Sequence, residues 1–332
     1  MATTTIGFIG LGAMGKGMAT SILKKHCKNS IMFQAMYIYD MNVNSINHFL
    51  ENDSMIKAEK SFIRPASSLQ DISNHCNIIL LSLPEDAVVQ TVNKIMENKK
   101  KQSNLTIIDT STTSIEISKD CSKTANENDA NFIDAPVSGL PERAVEGALV
   151  SMVGGPSNIL HDEIGVKEVI QSYSKEDGGV VHVGNEIGSG QICKSLNNVI
   201  YNISIAAMAE SLPLAMKLGL DPEKVIQVVS NSSGSSFGFN KWSIECINRN
   251  FRDGYAMGEA VKDWHLLEKI SKEKINTISS SETSSALGPV AAAAQNVYFD
   301  TLNEIDDAKD SHKGIMIKLH EKRLGVKVIK QK

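Results

Sequence analysis

Three polar side chains in an otherwise apolar stretch carry the clearest chemical signal in this sequence. Lys194, Asn197 and Asn198 lie within Gly188-Ser189-Gly190-Gln191-Ile192-Cys193-Lys194-Ser195-Leu196-Asn197-Asn198. Their i, i+3, i+4 spacing puts an ammonium and two amides on one helix face. Such a face is costly to bury without partners. Spacing alone describes a solvated stripe on an opening helical turn. The glycines before it, however, admit a ligand or a second backbone at close range. An ordinary lysine, with a pKa near ~10.4, is a poor base at neutral pH, so acid/base work requires a site that favours its neutral form.

A second signal lies near the start of the chain. Gly10-Leu11-Gly12-Ala13-Met14-Gly15 follows the apolar run Ile6–Ile9 and precedes a helix whose apolar face is Met14, Met18 and Ile22. In a strand–turn–helix context each glycine has a physical role. Gly10 permits the turn, Gly12 lets backbone approach a pyrophosphate, and Gly15 allows close helix packing. The helix N-terminus supplies unpaired N–H groups and the positive end of its dipole. The next strand ends Tyr37-Ile38-Tyr39-Asp40, on a carboxylate suited to both ribose hydroxyls of NAD and repellent to a 2′-phosphate. Met41-Asn42 offers no arginine for NADP. Asp40 follows Gly15 at more than the usual interval of roughly 20 residues, and a loop insertion over 28–34 accounts for the excess. With this loop upstream, the Lys194 face reads as a site.

Two further strand ends, Leu83-Pro84 and Asp109-Thr110-Ser111-Thr112, fall where open α/β sheets bind ligands, although each alone is an ordinary turn sequence. Asp134-Ala135-Pro136-Val137-Ser138-Gly139 is either a tight turn or a compact carboxylate cradle.

The elements that must position these groups follow from periodicity. Apolar runs at Ile6–Ile9, Tyr37–Tyr39, Ile78–Leu83, Leu105–Ile108, Phe132–Ile133, Ala148–Val153 and Val180–Val183 alternate with helical stretches such as Met14–Cys27 and Ile115–Asn126. This is the pattern of βαβ units, giving a mainly parallel sheet covered on both faces. After Gly188 no strong strand signal occurs. A long helix is expected over Gly188–Leu218, bent at Pro213 and capped by Gly219, followed by one from Asp221-Pro222 to Val229. Further helices are expected at Met257–Lys274, Ala286–Leu302 and Asp307–His320. The Ser-rich stretches Ser230–Ser236 and Ser279–Ser285 read as loops, with Gly234 and Gly238 lending mobility to the first. The domain boundaries expected are 1–187, 188–322 and a solvated basic tail at 323–332.

Composition narrows the function classes. At 332 residues the prior is two domains, and 42% hydrophobic with 22% charged residues is ordinary for a globular chain. Lys plus Arg total 34 against 38 Asp plus Glu, a net charge of −4, so no broad basic field exists for nucleic acid. No uninterrupted apolar run approaches the ~18 residues of a membrane span. Five cysteines form no CxxC pair, which indicates free thiols in a reducing compartment and neither disulfides nor zinc. The N-terminus carries no charged leader pattern, so a cytoplasmic location is expected, or the mitochondrial matrix if a presequence was removed.

Taken together, Gly-Phe-Ile-Gly-Leu-Gly-Ala-Met-Gly at 7–15, Asp-Ala-Pro-Val-Ser-Gly at 134–139, the Lys194 segment at 188–198 and Lys262-Asp263 occur in the order of one family. The chain resembles the β-hydroxyacid dehydrogenases from its N-terminus to about residue 300. The resemblance implies an N-terminal Rossmann-type doubly wound sheet (an α/β fold), an all-α C-terminal domain and an active site between them. It implies NAD-dependent oxidation of a small β-hydroxyacid, 3-hydroxyisobutyrate foremost, with Lys194 as acid/base. By the same resemblance Ser138, Gly139 and Asn198 hold the substrate, and Phe237 lies where an aromatic lines the pocket. The cofactor contacts implied are the loop Gly10, Leu11, Gly12, Ala13, Met14 and Gly15 together with Asp40, Leu83, Pro84, Val88, Thr112 and Lys262. Relatives are dimers or tetramers, so a homo-oligomer is implied, with no nucleic-acid or membrane partner and no metal. Leu140, where the family usually has a second glycine, reshapes the substrate cradle. The competing readings are reduction of a small semialdehyde or glyoxylate, and a non-catalytic nucleotide sensor, against which both Lys194 and Lys262 stand.

Overall fold

The computed structural model describes residues 4–27, 33–51, 62–97, 99, 104–161, 165–252, 254, 256–275 and 288–330. The chain packs as two compact units, Met1–Lys194 and Ser195–Lys332. In the first, the described strands are β1 (Thr5–Ile9), β2 (Ala35–Tyr39), β3 (Ile63–Pro65), β4 (Ile78–Leu81), β5 (Leu105–Asp109), β6 (Ala130–Asp134), β7 (Val137–Ser138), β8 (Val150–Gly154) and β9 (Val180–Gly184). They form one sheet in the order β3-β2-β1-β4-β5-β6-β8-β7, with β9 paired to β8.

Every expected apolar run falls on a strand, and the central ones β1, β4 and β5 are buried throughout. In β1, Ile6 and Phe8 enter one core layer with Met18 and Ile22, while Ile9 enters the opposite layer with Val92 and Ile107. Central strands buried on both faces read as continuous apolar runs. Helices such as Ala13–Cys27, Glu85–Glu97 and Ile115–Glu127 cover the sheet. The pairings from β3 through β6 are parallel, but β6–β8 and β7–β8 are antiparallel. Two strands have no counterpart among the expected runs. β3 is a three-residue edge strand closed by Pro65, which an edge tolerates because its missing N–H is not needed there. β7 is a two-residue strand after Pro136. The insertion expected at 28–34 lies mostly outside the described residues; of its end, Phe33 is buried and Gln34 N donates to Thr4 O at 2.9 Å.

Helix Ser189–Lys217 begins in the first unit and continues in the second. It runs through Pro213 and is long and apolar enough to cross a membrane, with mean hydropathy 1.4 over an 18-residue stretch, although polar residues interrupt every apolar run within it. Its positions Ile205, Met208, Ala209 and Leu212 lie in the apolar core of the second unit with Trp242, Trp264 and Tyr298. Gly219 takes a φ of +85° after the helix, and Asp221 caps Pro222–Ser230 by accepting from Glu223 N at 2.9 Å.

The second unit adds one helix and revises three expectations. A helix at Phe237–Ile247 follows the Ser-rich stretch, because Ser236 accepts from Phe239 N at 3.0 Å and caps it. Gly238 is therefore helical and buried, packed against Ser204, and not a source of mobility. The expected helix Asp307–His320 is instead a turn, a 3₁₀ segment Lys313–Met316 and a helix Ile317–Leu324. His312 causes the break: its Nδ1 accepts from Gly314 N at 3.0 Å and its Nε2 meets Asn250 O at 2.6 Å. Finally, the tail, described to residue 330, is anchored at two points, while Lys327, Ile329 and Lys330 stay exposed. Val328 is fully buried, its N–H donates to Glu321 Oε1 at 2.6 Å, and Arg323 bridges Asp300 and Glu304. Helix Pro289–Glu304 starts at Pro289, and Ser279–Ser285 lies outside the described residues.

Candidate active site

The nucleotide crevice is built where the chain reverses its direction across the sheet, between β1 and β4. Gly10 ends β1 at a φ of +96°, and a Cβ there would collide with the Ser82 carbonyl after β4. Gly10 N donates to Tyr39 O at 2.9 Å, which ties the turn to β2. A Cβ on Gly15 would strike Gly10 O, so the helix can approach the turn only as glycine. Around Gly12 the space within 4 Å of a Cβ is empty, so this backbone is open to a ligand. The helix Ala13–Cys27 has no acidic residue in its first turn to oppose an anion. These features fit a pyrophosphate.

Asp40 stands beside this loop. Its Oδ2 accepts from Leu11 N at 2.7 Å and its Oδ1 from Asn42 N at 2.8 Å. A carboxylate has about four acceptor positions, so each oxygen keeps one for a ribose hydroxyl. Leu83 N donates to Ser111 Oγ at 3.0 Å, joining the loops after β4 and β5. Pro84 and Thr112 lie next to these two residues in sequence, and both are exposed. Val88 departs from expectation: it is fully enclosed in the layer with Ile9, Leu81 and Val92 and presents no surface to a cofactor.

Two residues with no assigned role in the sequence organise the start of the Lys194 helix. Asp134, at the end of β6, accepts from Gly188 N at 2.7 Å and Gln191 N at 3.0 Å. Burial pushes its carboxyl up, and these backbone bonds oppose the shift. Gln191, fully buried, donates from Nε2 to Ser111 O at 2.9 Å and accepts from Thr113 N at 3.1 Å. One turn further, Lys194 is half-buried. A hydrogen-bonded path thus runs from Leu83 through Ser111 to Gln191, one helical turn from Lys194. Gly190 fits only without a side chain, its Cβ position lying 2.7 Å from Asp134 Oδ2. Asp109, paired with Asp134 in the sheet, is also fully buried, and burial raises its pKa from 3.8 to about 7. Ser138 is half-buried in β7, and the exposed Gly139 has a φ of +146°. Leu140 precedes Pro141–Val145, a short helix packed so closely on Ala13–Cys27 that a Cβ on Gly17 would lie 2.7 Å from Ala144 Cβ.

In the second unit, Asn198 Nδ2 donates to Asp263 Oδ1 at 3.0 Å. Asp263 in turn faces Lys313, with 3.6 Å between Nζ and Oδ2. In the sequence Asp263 is visible only as part of a motif, and nothing there singles out Lys313. Lys262 is exposed. Phe237 is 55% exposed, with its ring 5.9 Å from that of Tyr201.

Residues 5–184 match the family described as the NAD-binding domain of 6-phosphogluconate dehydrogenase. Residues 188–315 match the family described as NAD-binding of NADP-dependent 3-hydroxyisobutyrate dehydrogenase. The chain is 30% identical to 2-(hydroxymethyl)glutarate dehydrogenase of Eubacterium barkeri over 273 residues, 81% of this chain and 82% of that one. It is 29% identical to the mitochondrial 3-hydroxyisobutyrate dehydrogenase of Rattus norvegicus over 304 residues, 87% and 80% of the two chains. The crystal structure of 3-hydroxyisobutyrate dehydrogenase from Salmonella typhimurium shares the fold, with a TM-score of 0.74 at 21% identity over 95% and 99% of the chains. Family matches over both halves agree with the crevice and the lysine-bearing helix, and the chain belongs to the β-hydroxyacid dehydrogenases, NAD(P)-dependent oxidoreductases that include the 3-hydroxyisobutyrate dehydrogenases.

Proposed function

We propose that this protein oxidises a small β-hydroxyacid with NAD, 3-hydroxyisobutyrate to methylmalonate semialdehyde being the first candidate, and that Lys194 is its acid/base. The substrates named by the two relatives share one unit, a primary alcohol β to a carboxylate, and differ in the substituent between them. The observation that carries the reading is the path from Leu83 through Ser111 and Gln191 to the Lys194 turn. It links the nucleotide crevice and the candidate base within one compact unit.

NAD, when bound, accepts a hydride from the alcohol carbon. The protein's own part is positional and electrostatic. The Gly10–Gly15 turn and the helix behind it hold the pyrophosphate. Asp40 accepts the ribose hydroxyls and repels a 2′-phosphate, which supports NAD over NADP. Lys194 takes the hydroxyl proton as the carbonyl forms, while Ser138, Gly139 and Asn198 orient the carboxylate and hydroxyl. Phe237 lines the substituent's side, and Lys262 approaches the cofactor. Free thiols at all five cysteines support a reducing compartment, either cytosol or mitochondrial matrix. The exposed Leu196, Ile200 and Leu214 support self-association of the long helix.

The test is initial-rate reduction of NAD and of NADP with 3-hydroxyisobutyrate, 2-(hydroxymethyl)glutarate and related hydroxyacids. Turnover of 3-hydroxyisobutyrate with NAD is expected. Preference for NADP would remove the Asp40 argument, and no turnover of any hydroxyacid by a cofactor-loaded protein would remove the dehydrogenase reading.

A further inference from the structure

The second unit buries a lysine and a carboxylate 3.6 Å apart within its helical core. Lys313 is 2% exposed and opens the 3₁₀ segment that His312 caps. Its Nζ donates to Asn202 Oδ1 at 2.6 Å, lies 3.6 Å from Asp263 Oδ2 and sits 5.0 Å from the centre of the Tyr201 ring. Trp242 Nε1 donates to the Tyr201 hydroxyl, and the Tyr298 hydroxyl donates to the Asn202 carbonyl at 3.4 Å. Asn198, Tyr201 and Asn202 follow the i, i+3, i+4 rule, so Lys313 addresses the helix face that carries Asn198.

We propose that Lys313 is a positioning residue: acting through Asp263, it fixes the Asn198 amide with one N–H on Asp263 and the second N–H aimed to donate to the substrate hydroxyl oxygen while Lys194 takes the hydroxyl proton. This rests on the reading of Lys194 and Asn198 as parts of the active site. The inventory of donors and acceptors dictates the orientation. An ammonium only donates, and an ionised carboxylate only accepts. The amide of asparagine does both, so its orientation is decided by its partner. Asp263, facing the Lys313 ammonium, takes one Asn198 N–H at 3.0 Å and so keeps the amide nitrogen, with its second N–H, on the side of the site. Stability does not require this arrangement, since apolar side chains of similar volume replace buried ion pairs at little or no cost. Removing one charge alone is different, because the other is left buried and unpaired. The pair therefore specifies an orientation that an apolar core would leave undecided.

The experiment uses the full-length protein with NAD and 3-hydroxyisobutyrate, comparing wild type with Lys313→Met and with the double variant Lys313→Met/Asp263→Asn. Lys313→Met alone is destabilised, because it leaves the buried Asp263 carboxyl and the buried Asn202 Oδ1 without their partner. The double variant removes both charges and regains most of the lost stability, short of the bond that the buried Asn202 Oδ1 loses. An amide at 263 can donate as well as accept, so it no longer dictates how Asn198 points. Its kcat falls about tenfold to a hundredfold, the worth of one hydrogen bond to the reacting group, with the KM for NAD unchanged. The Asn198 side-chain amide, assigned by its loss in Asn198→Ala, also loses its protection from hydrogen exchange in ¹⁵N spectra. A purely structural pair would instead give a double variant with both stability and turnover restored. Wild-type kcat in the double variant, or undiminished protection of the Asn198 amide, overturns the proposal. If Lys194→Ala keeps full turnover, or the wild type does not turn over this substrate, the underlying reading has failed. Amide protection, which needs no substrate, then decides the Lys313 relay by itself.

Discussion

Replacing Asp109 by Asn should change how the first unit's stability depends on pH, by an amount set by one buried carboxyl. Asp109 ends β5 fully buried, with Oδ1 accepting from Ser111 N at 3.0 Å and Oδ2 making no hydrogen bond. Burial is the main reason its pKa rises from 3.8 to about 7; the Ser111 bonds oppose the rise and the Asp134 charge adds to it. The folded protein therefore keeps a proton here that the unfolded chain releases near its ordinary value. Between those limits the native state binds one more proton, so stability falls as pH rises, beginning above about pH 4 and complete above about pH 7. The whole decline is about 4 kcal/mol, at ~1.4 kcal/mol per tenfold change in proton affinity. Asn cannot titrate and lacks the decline, whatever constant offset its amide introduces at the Oδ2 position. Both tryptophans, Trp242 and Trp264, lie in the second unit, so their fluorescence does not report on this one. Amide hydrogen exchange of Ile107 and Ile108 in β5, corrected for intrinsic rates, follows its opening directly. The difference in opening free energy between variant and wild type should move by about 4 kcal/mol toward the variant from about pH 4 to about pH 8. A difference that stays constant across that range would refute the reasoning.

Three other outcomes are expected. Gly12→Ala should melt like the wild type, since no atom lies within 4 Å of the added Cβ, yet bind NAD more weakly; Gly10→Ala should lose about 2 kcal/mol or more from its φ of +96° and the Ser82 collision. Calorimetry and cofactor titration separate the two, and equal melting temperatures would count against the assigned geometry. Lys194→Ala should lower kcat by roughly 10²–10⁴ with the NAD dissociation constant unchanged, and a matching loss of cofactor affinity would argue against an acid/base role. Asp40→Ala should weaken NAD by about tenfold to a hundredfold while NADP gains relative to it, which competitive titration of the two cofactors reads directly.

The parts of this protein that its sequence determined are those settled by neighbours along the chain. The glycine spacing at 10–15, the carboxylate ending Tyr37–Asp40 and the Asp221-Pro222 helix start all report local backbone needs. So do the apolar strand runs, because a buried parallel sheet demands them. The Lys194, Asn197 and Asn198 face was visible for the same reason, since helical spacing alone aligns it. Where the helix Asp307–His320 was expected, a distant contact won: the His312 ring is held by Asn250, 62 residues away, and the helix breaks around it. Val88 was implied as a cofactor contact only by the family resemblance, and packing encloses it in the sheet's core. Val328 looked like part of a solvated tail until the rest of the second unit supplied its place. The groups that hold the candidate site in position were the least legible. Asp134 reaches Gln191 across 57 positions, and Lys313 reaches Asn202 across 111. Local propensity extends over a few residues, whereas a buried charge finds its partner only when the core closes around both, and only the tertiary structure decides which partner that is.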